Sequence, residues 1–140
     1  TIEFPFGEKE SALCLFKGAH SHAIYGNGLF LIQVFPVSTM SLSEGVTMAL
    51  SLNKRHLTES PEGYGFGGFH YEKDSIVFMG FLPNALYRPG LLPNLFHSCA
   101  KRAKDLSVYL TGHDWTSDSF DPRRSSAFRL SEEMKNLKSR

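Results

Sequence analysis

Six histidines, two cysteines and one glycine-rich hexapeptide are the parts of this sequence that could do chemistry. His20 and His22 stand two apart, the spacing that puts both side chains on one face of a strand, where two imidazoles can ligate zinc or copper. A third ligand would have to come from His70, His97 or His113, and no spacing rule links any of these to the pair. Such a site would make the chain a small hydrolase or metal-dependent enzyme; ordinary turn and surface histidines are the competing reading. Gly63-Tyr64-Gly65-Phe66-Gly67-Gly68 satisfies the letters of a dinucleotide-binding loop. The mechanism of that loop requires a helix immediately after it, to offer its N-terminus to a pyrophosphate. Phe69-His70-Tyr71 reads instead as strand, so the glycines are spacers between large aromatics and no cofactor is expected.

The cysteines offer little more. Cys14 falls in a predicted strand and Cys99 on the apolar stripe of a predicted helix, with Lys101 and Arg102 expected to point elsewhere. A nucleophilic cysteine needs partial exposure and an activating charge. Neither has the number or spacing of a disulfide framework or zinc site. Both are therefore expected as small buried hydrophobes in a reducing compartment, with the cytoplasm as the expected location. For acid–base work, Glu132 and Glu133 read as helix-capping residues and Asp118 and Asp121 as linker, so no catalytic carboxylate pair stands out. The chain is expected not to be an enzyme.

The elements that would position these residues follow from periodicity. Thr1–Phe6 alternates apolar and polar with Pro5 at its end, a short edge strand. Ser11–Lys17 is a second strand. Ala23–Tyr25 leads into Gly26-Asn27-Gly28, where Asn-Gly is a strong hairpin signal. Leu29–Val37 returns, apolar on both faces and hence central. Ser41 and Glu44 form a capping box opening a helix over about 42–58, on which Leu42, Val46, Ala49, Leu50, Asn53 and Leu57 recur at helical spacing. Gly45 inside it costs about 1 kcal/mol relative to Ala, which reads either as close packing on a sheet or as simple tolerance.

A hairpin comes next. Tyr64 and Phe66 share one face, as do Phe69 and Tyr71 beyond the glycine pair, with room for a bulge between. Glu72-Lys73-Asp74-Ser75 is a polar turn, and Ile76–Leu82 the most buried-looking strand. After a corner at Pro83, Pro89, Gly90 and Pro93, the residues Leu92, Leu95, Phe96, Cys99, Ala103, Leu106 and Leu110 form the apolar stripe of a helix capped by Gly112. The predicted class is α+β: an antiparallel sheet of about five strands in the order β-β-β-α-β-β-α with helices packed on it.

At 140 residues the chain suits one such domain. Residues 1–112 make the domain and 113–140 a C-terminal tail, six basic against two acidic side chains from Arg123 onward, which docks through Trp115, Phe120, Phe128 and Leu130 or stays mobile. A formal charge of +1 gives no general field for nucleic acid or anionic lipid. The apolar runs are too short to span a bilayer, so neither partner class is expected. The first residue is Thr rather than Met, as expected of a trimmed chain or of part of a longer one.

Three strands, a helix carrying Asn53 near its end, a glycine-aromatic strand from Tyr64 to Tyr71, an apolar strand from Ile76 to Leu82 and a closing helix: this order over residues 1–110 resembles the type III secretion chaperone-like fold, including its YbjN-like relatives. The resemblance implies a cytoplasmic bacterial homodimer without cofactor that binds a polypeptide segment along apolar grooves. Two features depart from the family pattern: no helix precedes the first strand, and the chain is near neutral where such chaperones tend to be acidic. From the residues themselves, the aromatic surplus of Phe66, Phe69, Tyr71, Phe81, Tyr87 and Phe96, with Trp115 in the tail, marks the expected partner-binding surface; the competing reading is that helices cover one sheet face and the tail the other. A non-enzymatic protein-binding module with a protein or peptide partner is the expected function.

Overall fold

Side-chain alternation builds the sheet, and the helices then choose one of its faces. The computed structural model describes residues 1–7, 10–59 and 67–114. Its strands are β1 (Ile2–Pro5), β2 (Ser11–His22), β3 (Gly26–Pro36), β4 (Gly67–Glu72) and β5 (Ser75–Pro83); its helices are α1 (Leu42–Glu59) and α2 (Leu91–Thr111). All strand pairs are antiparallel in the order β1-β2-β3-β5-β4, so the strand that is apolar on both faces, β3, is central. The α+β class and the element order are as the periodicity predicts.

Cross-strand register sorts the side chains into two faces. One row runs Cys14, Gln33, Phe78 and Phe69, and the next runs Ala12, Phe35, Ile76 and Tyr71. Both rows lie under the helices with Ala49 and Leu52 of α1 and Leu95, Cys99, Ala103 and Leu106 of α2. Phe35, Ile76 and Phe78 are almost wholly removed from water; each contributes about 2 kcal/mol by burial.

Two predicted turns behave differently. Lys73 and Asp74 both take positive φ, 48° and 58°, the two-residue turn whose twist matches a hairpin. The β2–β3 turn is not at Asn27-Gly28. Those two residues pair with Ser21 and His20 inside the ladder, β2 runs on to His22, and Gly26 takes the left-handed position at φ 69°. The reason is local: the His22 Nδ1 accepts the amides of Ile24 and Tyr25 at 3.1 and 3.3 Å, closing a turn before Asn-Gly is reached. Gly28 serves packing instead, since a Cβ there would meet the Leu82 carbonyl and the Phe81 ring.

The helix ends follow their signals. The Glu44 carboxylate accepts the Ser41 amide at 2.8 Å and the Ser41 hydroxyl at 2.7 Å, and the Glu44 amide donates to that hydroxyl, the capping box in full. Gly112 ends α2 in the left-handed conformation with its N–H on the Val108 carbonyl at 2.8 Å. No helix among the described residues is long and apolar enough to cross a membrane.

Candidate interaction surface

Because both helices pack on the same side, the register also defines what they leave bare. Leu13, Leu15 and Lys17 on β2 stand opposite Val34, Ile32 and Phe30 on β3, which in turn stand opposite Val77, Met79 and Phe81 on β5. These residues alternate with the helix-covered rows and so point to the other face. Leu13 and Leu15 are 41 % and 44 % exposed, and Phe30, Ile32, Val34, Met79 and Phe81 are half-buried. The apolar side chains on these three neighbouring strands thus form a continuous surface with no helix of the described residues upon it. A second apolar line, Leu42, Val46 and Leu50, is exposed on α1.

That α1 line corrects the expected orientation of the helix. The side turned to the sheet keeps Ala49 and Asn53 of the expected stripe and adds Gly45 and Leu52. A Cβ at Gly45 would overlap the Tyr71 ring, so the glycine is there for close approach. Asn53 fixes the rotation: its Nδ2 donates to the Phe69 carbonyl at 2.9 Å and its Oδ1 accepts the Phe69 amide at 2.7 Å. Phe69 lies on the edge strand β4, and the asparagine takes the place of a further strand, shielding that edge.

The residues expected to bind a partner separate. Phe69 is buried against Phe78 at 5.0 Å between ring centroids, so it belongs to the core. Tyr71 also faces the helices, its hydroxyl donating to the Met40 carbonyl. Phe81 lies on the sheet face away from the helices, beside His22. Tyr87 is exposed beyond β5, and Phe96 is partly exposed on α2 with its ring edge-on to Phe16 at 4.8 Å. Phe66 and Trp115 lie outside the described residues, as do Tyr64 and most of the glycine-rich hexapeptide. Beyond Gly68 the chain continues as strand, not helix. Aromatic content does not point to the aliphatic residues Leu13, Leu15, Ile32, Val34 and Met79; the signal for them is a strand apolar on both faces with helices enough for one.

Of the expected histidine pair, the side chain of His20 lies outside the described residues. His22 is occupied as the acceptor of the hairpin turn and stacks on Tyr25 at 4.9 Å. His70 lies 3.5 Å from Glu72, on β4 at the far edge of the sheet. Among the described residues no three His, Cys, Asp or Glu side chains are grouped as a metal site.

A polar cluster does sit inside the helix-covered core. Gln33, fully buried, donates from Nε2 to the Cys99 carbonyl at 2.9 Å and accepts from the Arg102 Nη1 at 3.1 Å. Arg102 turns inward, its guanidinium 3.7 Å above the Phe78 ring, contrary to the expectation that it points away. The Cys14 thiol donates to the Cys99 sulfur across 3.7 Å, and both residues are buried as predicted. That hydrogen bond, together with burial, pushes the Cys14 thiol up. Accepting it, with Arg102 alongside, pulls the Cys99 thiol down.

No family model matches this chain, and neither curated proteins nor solved structures give a match.

Proposed function

We propose that this chain is a non-enzymatic protein-binding module whose helix-free sheet face closes against another polypeptide, with a second copy of the chain as its first occupant. The observation that carries this reading is the continuous apolar surface of Leu13, Leu15, Ile32, Val34 and Met79, on which no helix of the described residues lies. A contiguous apolar patch of this kind is a docking surface on a water-exposed protein. Two copies related by a two-fold axis bring the same patch against itself, and sheets pack face to face about 10 Å apart with interdigitating side chains.

The edge of β2 adds a second mode. β1 pairs only with Ser11–Cys14, and among the described residues the outer edge of β2 from Leu15 onward faces no strand. An extended segment of a partner can continue the line of β1 there by strand addition. Apolar surface plus an open strand edge is what a chaperone for an extended polypeptide requires, which supports the secretion-chaperone-like reading.

Sedimentation equilibrium on the full chain tests the proposal. The unsubstituted chain is expected to dimerise at micromolar concentration, and Leu15→Lys to weaken association by about tenfold or more, the effect of burying one unpaired charge in an interface. Because Leu15 is surface-exposed in the single chain, the thermal midpoint should stay nearly constant. A monomer at all concentrations, or a dimer indifferent to Leu15→Lys, overturns the reading.

A further inference from the structure

The structure assigns a use to the two cysteines that their burial conceals: we propose that Cys14 and Cys99 are a dithiol that a hydroperoxide converts to an intramolecular disulfide, joining β2 to α2. They are the only cysteines of the chain, 85 positions apart in sequence, with sulfurs 3.7 Å apart. A disulfide has an S–S distance of about 2.05 Å, so the sulfurs need approach by roughly 1.7 Å. The pairing is not one of two inert core residues. Arg102, on the turn of α2 that follows Cys99, is held in place by Gln33 and Phe78, and its charge, with the hydrogen bond from Cys14, draws the Cys99 thiol down against the effect of burial. Both favour the thiolate at Cys99, the form that attacks an oxidant.

A cavity of about 50 Å³ lies between α2 and the sheet, and its wall, which contains neither sulfur, includes Leu29, Leu31, Phe78, Gly80, Leu95 and Arg102. Leu95 and Arg102 are the residues one turn to either side of Cys99 on its helix. Gly80 stands opposite Gly67 across the ladder, and the Phe78 ring fills the space above Gly67. The cavity is too small for glutathione disulfide and sufficient for a molecule of the size of hydrogen peroxide, since a water needs only about 10–15 Å³ measured in this way.

The oxidation proceeds in two balanced steps. The Cys99 thiolate attacks one peroxide oxygen, the O–O bond breaks, and hydroxide leaves with the proton released by Cys99, giving water and a sulfenic acid. The Cys14 sulfur then attacks the Cys99 sulfur, the S–O bond breaks, and the departing hydroxide takes the Cys14 proton as a second water. Two thiols and one hydrogen peroxide become one disulfide and two waters; each sulfur gives up one electron and the peroxide oxygens receive both.

The full chain, treated with hydrogen peroxide, quenched, unfolded and alkylated, decides the matter by intact mass. The expected product has lost the mass of two hydrogens, takes up no alkylating agent, yields a peptide pair linking Cys14 to Cys99, and regains both thiols in dithiothreitol. Its far-UV circular dichroism before unfolding should match that of the reduced chain, and its thermal midpoint should be higher, since the bond ties together distant parts of the chain. Thiols that stay fully alkylatable, oxygen adducts without a link, or bonds only between chains overturn the proposal. Cys14→Ala separates the steps: peroxide should leave a Cys99 sulfenic acid that dimedone traps, and no trapping in the folded variant overturns the assignment of Cys99 as the attacking sulfur. Should that variant not fold, the product of the unsubstituted chain decides alone.

Discussion

Asn53 shows how one side chain can end a sheet. Its amide satisfies both the N–H and the C=O of Phe69 on the outer edge of β4. Two hydrogen bonds of near-ideal length in a partly buried position are together worth about 1–3 kcal/mol, most of it the desolvation cost of leaving the backbone groups unpaired. Asn53→Ala is therefore expected to lower the unfolding free energy by that amount in urea titration. A loss under a few tenths of a kcal/mol would show that water replaces the amide freely. Asn53 is visible in the sequence as a polar residue on an otherwise apolar helix face, but its partner is not, because nothing at residue 53 encodes which strand lies alongside. Gln33 is the parallel case. In the sequence it reads as one residue of an apolar strand, and it proves to be a wholly buried amide satisfied by Cys99 and Arg102 from the far end of the chain.

The elements show where local signals suffice. α1 begins where Ser41 and Glu44 indicate, because a capping box is closed by four consecutive residues. The same bonds hold the Glu44 carboxyl below the ordinary glutamate range, by the backbone and then the side-chain hydrogen bonds of Ser41. A carboxyl lowered in the folded state stabilises it fully above its unfolded value and ceases to do so as pH falls through the folded one. Glu44→Gln should accordingly flatten the decline in stability on acidification below the glutamate range, compared by thermal midpoints across that window; an unchanged slope would remove Glu44 from the account. Gly45 tests the packing of the same helix. Helix propensity alone predicts that Gly45→Ala stabilises by about 1 kcal/mol. The Tyr71 ring occupies the space of the new methyl and is tethered at its hydroxyl, so overpacking of about 1–3 kcal/mol should prevail. The expected sign in denaturant unfolding is destabilising, and a stabilised variant would mean that α1 can move off the sheet. The Asn27-Gly28 hairpin fails as a signal because a competing local closure, His22 on the Ile24 and Tyr25 amides, comes before it in the chain.

For the molecule as a whole the decisive arrangement is that both helices of the described residues lie on one side of the five-stranded sheet and neither lies on the apolar other side. The association expected through Leu15 and its neighbours follows from that arrangement. It does not follow from aromatic content, which points to Phe69 and Tyr71, both turned to the helices, as well as to Phe81 on the other face. By itself the sequence determined the class, the order of elements, the central place of β3, the capped start of α1, the capped end of α2 and the burial of both cysteines. Each of these depends on the period of apolar residues or on chemistry spanning a few positions. Only the tertiary structure decided which face the helices take, that Arg102 turns inward, and that Cys14 and Cys99 meet. Those outcomes depend on register between distant strands and on the rotation of helices set by Gly45 and Asn53, and a one-residue change in register would send every side chain of a strand to the other face.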